Sequence, residues 1–156
     1  MQKLLTGLFL FAQLSFTQLS RAEDTPLQVV QKLFKAVSHH DSSATAALFS
    51  PDAVLFSVHS DESAPALSAV KWLERMDASK DQWLSEFGTQ QQESGTVAHI
   101  WAEYDFHLSG KFSHCGIDSF SLLKTGAGWK VVLIADDASR QVARHTLCKS
   151  VRRAGE

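Results

Sequence analysis

Three hydrophobic patterns succeed one another along the chain. The first is an almost unbroken apolar run from Leu4 to Leu14, set behind Lys3 and followed by Ser20-Arg21-Ala22. A positive start, an apolar stretch about half the length of a membrane span and a small-x-small site predict a secretory signal peptide over 1–22, cut after Ala22. The second pattern has helical period. Leu27, Val30, Phe34 and Val37 form one stripe behind Thr25-Pro26-Leu27-Gln28, which carries the cap, the early proline and the glutamine of a capping box. Asp41 predicts the cap of a second short helix through Ala44, Ala47 and Leu48, ending near Ser50-Pro51. Ala53 to Val58 reads as a strand and His59 to Pro65 as a polar loop. Ser68 to Met76 and Ser79 to Phe87 read as helical pieces, the latter with a Ser79/Gln82 box and Gly88 as its stop.

The third pattern begins after Gly95. Thr96 to Leu108, Lys111 to Lys124 and Trp129 to Asp136 are long runs rich in aromatic and β-branched residues. Ser109-Gly110 joins the first two as a two-residue turn, and Thr125-Gly126-Ala127-Gly128 joins the next two. Helices first and a meander afterwards predict an α+β domain, with helices on one face of an antiparallel sheet. The domain spans 23–137, and 138–156 is a tail with a mild basic bias from Arg140, Arg144, Lys149, Arg152 and Arg153.

Composition narrows the function. At 156 residues and 44% hydrophobic, the chain holds one domain with a core and is too apolar to be disordered. Removing residues 1–22 takes Lys3 and Arg21 and no acid, so 15 bases become 13 against 17 acids, a net charge near −4. That balance disfavours nucleic acid as a partner, because phosphate binding needs a basic surplus. Nothing outside the N-terminus is long and apolar enough to predict a membrane span. With two cysteines, Cys115 and Cys148, a four-thiolate zinc site is excluded. In an exported chain the two can instead form a disulfide, which fits a tail long enough to fold back on the middle strand. The other reading leaves Cys115 as a small buried thiol.

One segment has a family likeness. Trp101-Ala102-x-Tyr104-Asp105-Phe106, then Gly110-Lys111-Phe112-Ser113-His114-Cys115-Gly116-x-Asp118-x-Phe120, then Gly128-Trp129-Lys130 resembles the lumazine-binding, SnoaL-like branch of the nuclear transport factor 2-like superfamily. The resemblance implies a cone, in which a strongly curved antiparallel sheet wraps N-terminal helices and leaves a pocket at the wide end. It implies a small apolar or aromatic ligand and, as a candidate assembly, a homodimer through the sheet. It implies no cofactor and no particular reaction.

Strand arithmetic then proposes a site. With Ser109-Gly110 as the turn, Asp105 faces His114, Trp101 faces Asp118, Glu103 faces Gly116 and His99 faces Phe120, all on one sheet face. Trp101, Glu103, Asp105, Phe120 and Leu122 are the candidate ligand-binding residues, and Asp118 and His114 the candidate acid–base pair. The competing reading makes this the wet face of a half-exposed sheet. A bulge would swap faces beyond it and put Tyr104 and Cys115 forward instead. No nucleophile elbow, phosphate loop or dinucleotide fingerprint is present. Ser121-Leu122-Leu123-Lys124 has the Ser-x-x-Lys spacing, but a strand sends its two ends to opposite faces. His39-His40-Asp41 and His59-x-Asp61 do not converge three metal ligands. The functions left are binding without turnover or an unassigned role, first, acid–base chemistry of isomerase, dehydratase or cyclase type, second, and ligand-free assembly, third.

Overall fold

A computed structural model of the chain describes residues 23–59, 62–63, 66–75, 82–108 and 111–139. The signal peptide expected over 1–22, the Ser109-Gly110 turn, Ser79, Met76 and Cys148 lie outside the described residues. Helix α1 (Pro26–Ser38) starts as its sequence predicts. The Thr25 N–H donates to Gln28 Oε1 at 2.9 Å and the Gln28 N–H to Thr25 Oγ1 at 3.2 Å, so cap and helix satisfy each other's spare donors. His40 turns the chain at φ 55°, and the Asp41 carboxylate accepts from the Ala44 N–H at 2.8 Å to cap α2 (Ser42–Leu48). β1 (Phe49–His59) follows without a loop, then β2 (Glu62–Ser63), β3 (Leu67–Ser68) and the short α3 (Ala69–Glu74). Ser68 caps α3 by accepting from the Lys71 N–H at 3.3 Å.

Over its described part, Gln82 to Phe87, the helix expected over Ser79–Phe87 is not formed. Residues 82–94 are β4 (Gln82–Ser94), an edge strand among the described residues. Trp83, Leu84 and Phe87 have a spacing that suits a helix, but pairing with the next strand along its whole length outweighs that weak local preference. Gly88 falls where the register slips between Phe87 and Gln90, so it marks a bulge rather than a helix end. The exposed polar run from Thr89 to Ser94 suits an edge that must not recruit further strands.

β5 (Val97–Leu108), β6 (Lys111–Thr125) and β7 (Gly128–Ser139) complete the meander; β7 continues past Asp137 into the stretch read as tail. The sheet order is β2-β1-β7-β6-β5-β4, with β3 paired to β1, and β1 joins β7 in parallel. Each of the three meander pairings carries one register slip. Bulges bend strands, and the resulting curved sheet packs its inner face on α1 through β4, β5 and β7. Ile100, Phe120, Leu122 and Val131 from the sheet meet Val30, Leu33 and Phe34 from α1 in the core. The Phe34 and Phe120 rings meet edge-on at 5.8 Å.

Candidate functional site

The β5–β6 register decides what faces the interior. His107 pairs with Phe112, but Phe106 pairs with His114, leaving Ser113 as an extra residue on β6. From that bulge onward the pairing differs by one from the flush hairpin expected of the sequence. Asp105 faces Cys115, Glu103 faces Ile117 and Trp101 faces Ser119, while Ala102 faces Asp118 and Ile100 faces Phe120. The single face expected from the sequence therefore splits. His114, Asp118, Phe120 and Leu122 turn inward with Tyr104 and Phe106, whereas Trp101, Glu103 and Asp105 lie on the outer face. Trp101 is 42% exposed there. Asp105 is buried beside Cys115, with Oδ2 3.1 Å from His107 Nε2. Leu122 is buried in the core and does not line the cavity. Cys115, equally buried on the outer face, is disulfide-bonded; the chain's other cysteine, Cys148, lies outside the described residues.

Between α1 and the inner face lies a cavity of about 340 Å³. Leu33, Phe34 and Val37 of α1, Leu55 of β1, Phe120 of β6 and Ile134 of β7 make its apolar part, and Phe56, Trp72 and Phe106 add aromatic surface. Ser57, Tyr104, His114, Asp118, Asp136 and Arg75 supply its polar groups. This is the composition of a small-molecule site: apolar walls with a few placed polar groups.

The polar groups are ordered by the strands. Ala102, Asp118, Asp136 and Ser57 are successive partners across β5, β6, β7 and β1, so the two carboxyls lie side by side on the inner face. The Tyr104 hydroxyl donates to Asp136 Oδ1 at 2.6 Å and the Ser57 hydroxyl to Oδ2 at 3.1 Å. Asp136 is thus the acceptor of both, the role of an ionised carboxylate. Burial, and next the Asp136 carboxylate beside it, push the Asp118 carboxyl well above the ordinary carboxylate range. Two adjacent carboxyls in an apolar enclosure cannot both ionise freely. Burial, then Asp136 and Asp118, likewise raise the Tyr104 phenol, which keeps it a donor. The His114 ring lies tilted by 38° against Phe106 at 4.9 Å and meets Tyr104 edge-on at 5.8 Å. Its Nδ1 is 3.1 Å from the Ser113 hydroxyl.

Gly116 makes the arrangement possible. Tyr104 belongs to β5 and Asp136 to β7, so the phenol must cross β6 over the residue opposite Tyr104, which is Gly116. A Cβ there would overlap the Asp137 carbonyl oxygen and stand 3.0 Å from the Tyr104 ring.

Asp136, Ser57, Arg75 and Trp72 were not among the residues singled out from the sequence. Asp136 was hidden by a second bulge: Leu122 pairs with Val131 but Ser121 pairs with Leu133, which brings Asp136 rather than Ala135 opposite Asp118. The signal available was the Ile134-x-Asp136 alternation at the end of a buried strand, a carboxylate on the face of a core isoleucine. Among the described residues no three His, Cys, Asp or Glu side chains gather as a metal site. Among them, too, no helix is long and apolar enough to cross a membrane.

No family model and no curated protein matches the chain. Solved structures do. A nuclear transport factor 2-like protein of unknown function from Shewanella baltica is 20% identical with a TM-score of 0.58, covering 74% of this chain and 91% of its own. A proposed dehydratase of the same family from Streptomyces avermitilis is 16% identical with a TM-score of 0.59, covering 72% and 91%. A nuclear transport factor 2-like protein with a cystatin-like fold from Novosphingobium aromaticivorans is 12% identical with a TM-score of 0.60, covering 80% and 84%. At these identities the likeness is one of fold.

Proposed function

From the nuclear transport factor 2-like, cystatin-like cone that this chain adopts, we propose that it is an exported protein that binds a small apolar or aromatic molecule inside the cone. The observation that carries this is the 340 Å³ cavity, aromatic along its walls, with the Asp118–Asp136 pair set into its lining. A neutral Asp118 is a hydrogen-bond donor in an apolar surround, where one such bond orients a ligand strongly. Trp72 lines the cavity, so ligand entry should change tryptophan fluorescence. The test is a panel of aromatic and alicyclic ketones, pterins and flavin fragments, followed by calorimetry. Binding at one site per chain that weakens at least tenfold in Asp118→Leu, with the fold intact, supports the reading. Binding indifferent to Asp118 and to Phe34→Ala would place the ligand elsewhere and overturn it.

The same pair favours a second reading, acid–base turnover. A neutral carboxyl beside an ionised one supplies a proton donor and a proton acceptor within one pocket. Asp118 would give its hydrogen bond to a carbonyl oxygen while Asp136 or His114 takes a proton from the adjacent carbon and returns it at another. The acid–base pair expected from the sequence is thereby extended: Asp118 acts as the donor, and Asp136 joins His114 as acceptor. The dehydratase name carried by the Streptomyces avermitilis protein accords with this chemistry. Exchange of the α-protons of a bound ketone with solvent deuterium, abolished in Asp118→Asn or Asp136→Asn, separates turnover from binding.

A further inference from the structure

The cavity's hydrogen-bonding groups are unevenly used, and this bears on the class of ligand that the binding reading above requires. Tyr104 and Ser57 both spend their hydroxyl protons on one acceptor, Asp136. Asp118 makes no hydrogen bond among the described residues, and its carboxyl faces the cavity. Arg75, at the C-terminal end of α3, lines the cavity while remaining exposed, and it pairs with no acid among those residues. A ligand rich in donors finds Asp136, which already receives two hydrogen bonds. A ligand rich in acceptors finds an unused carboxyl O–H inside and an unused guanidinium at the mouth. Guanidinium is planar and matches a carboxylate with two parallel hydrogen bonds. The remaining wall, with Phe34, Phe56, Trp72, Phe106 and Phe120, suits a ring. The 340 Å³ volume lies at the lower end of the roughly 300–1,000 Å³ of small-molecule sites, room for one substituted ring.

We infer that the cavity selects a small ring-bearing carboxylic acid as its anion, with the carboxylate on Arg75 at the mouth and a second oxygen acceptor on the Asp118 carboxyl. The carboxylate stays at the mouth because Asp136 repels it from within, and the second acceptor draws the ring inward. Neutral ligands of the same shape keep the inner contact and lose the charge-assisted, two-bond match at the outer one.

The experiment compares para-acetylbenzoate with para-acetylbenzamide, equal in shape and different in charge, by calorimetry on the full chain. The expected result is a preference of about tenfold for the acid, the worth of a charge-assisted hydrogen bond partly exposed to water. Arg75→Gln should abolish that preference by weakening the acid far more than the amide, with an unchanged circular dichroism spectrum and melting temperature showing that the variant is folded. Arg75→Lys should retain part of it. Replacing the acetyl group by ethyl should weaken wild-type binding and make it insensitive to Asp118→Leu. Equal affinity for acid and amide, or a preference that survives Arg75→Gln, overturns this inference while the cavity reading stands. Failure of both compounds to bind overturns it too, and if acetophenone also fails to bind, the cavity reading falls with it.

Discussion

Asp118 titrates near 3.8 as a free side chain and well above that value in the fold. Between the two, the folded chain holds a proton that the unfolded chain has released, so stability falls as pH rises through that window. The stabilisation is fully present below the lower value and lost once pH passes the upper one. Asp118→Asn removes the titration, so its melting temperature should gain on the wild type from acid to neutral pH; parallel curves for the two proteins would refute the assignment. Tyr104 is the chain's single tyrosine, which makes its state directly readable. Because burial and the neighbouring carboxylates raise the phenol, no phenolate absorbance should develop until alkaline unfolding. Tyr104→Phe removes a charge-assisted hydrogen bond and should cost about 1.5–3 kcal/mol in denaturant titration.

At the scale of elements, the helix caps and the meander were legible because their signals are local. Thr25 with Gln28, and Asp41 before its helix, sit within one turn of the groups they satisfy. The faces of the strands were not legible, because one extra residue reverses every side chain beyond it. Ser113 does this between β5 and β6, and Val132 between β6 and β7. Nothing in either residue announces a bulge; curvature demanded by the packed helix does. The same reasoning explains β4, whose pairing with β5 overrode a helical spacing. Asp118, His114 and Phe120 share one face because alternation along a single strand survives the bulge, while Trp101, Glu103 and Asp105 lie on the other because the bulge shifts the partner strand's phase. Gly116→Ala tests the β5–β6–β7 arrangement. Its Cβ would meet the Asp137 backbone, so the strands must part, with an expected loss of about 1–3 kcal/mol or more and weakened ligand binding. A variant as stable as wild type that binds normally would show that Tyr104 need not cross Gly116.

For the whole molecule, two proposals concern its passage out of the cell. Sequencing the protein recovered from an oxidising compartment should start at Glu23, and intact Met1 would contradict export. Cys115 and Cys148 should titrate as no free thiols in unreduced, denatured protein. Closing roughly 32 residues between them should contribute about 3–4 kcal/mol, lost on reduction. The strand order has a consequence for how the molecule is made. β7 is the strand through which β1 joins the meander, and it brings Asp136 beside Ser57 of β1 and Asp118 of β6. Without β7 the carboxyl pair cannot assemble, and β1 has no partner among β4 to β6. Such distant pairings form late, because the intervening loop must first be closed. The proposed ligand site is therefore completed only when β7 docks between β1 and β6.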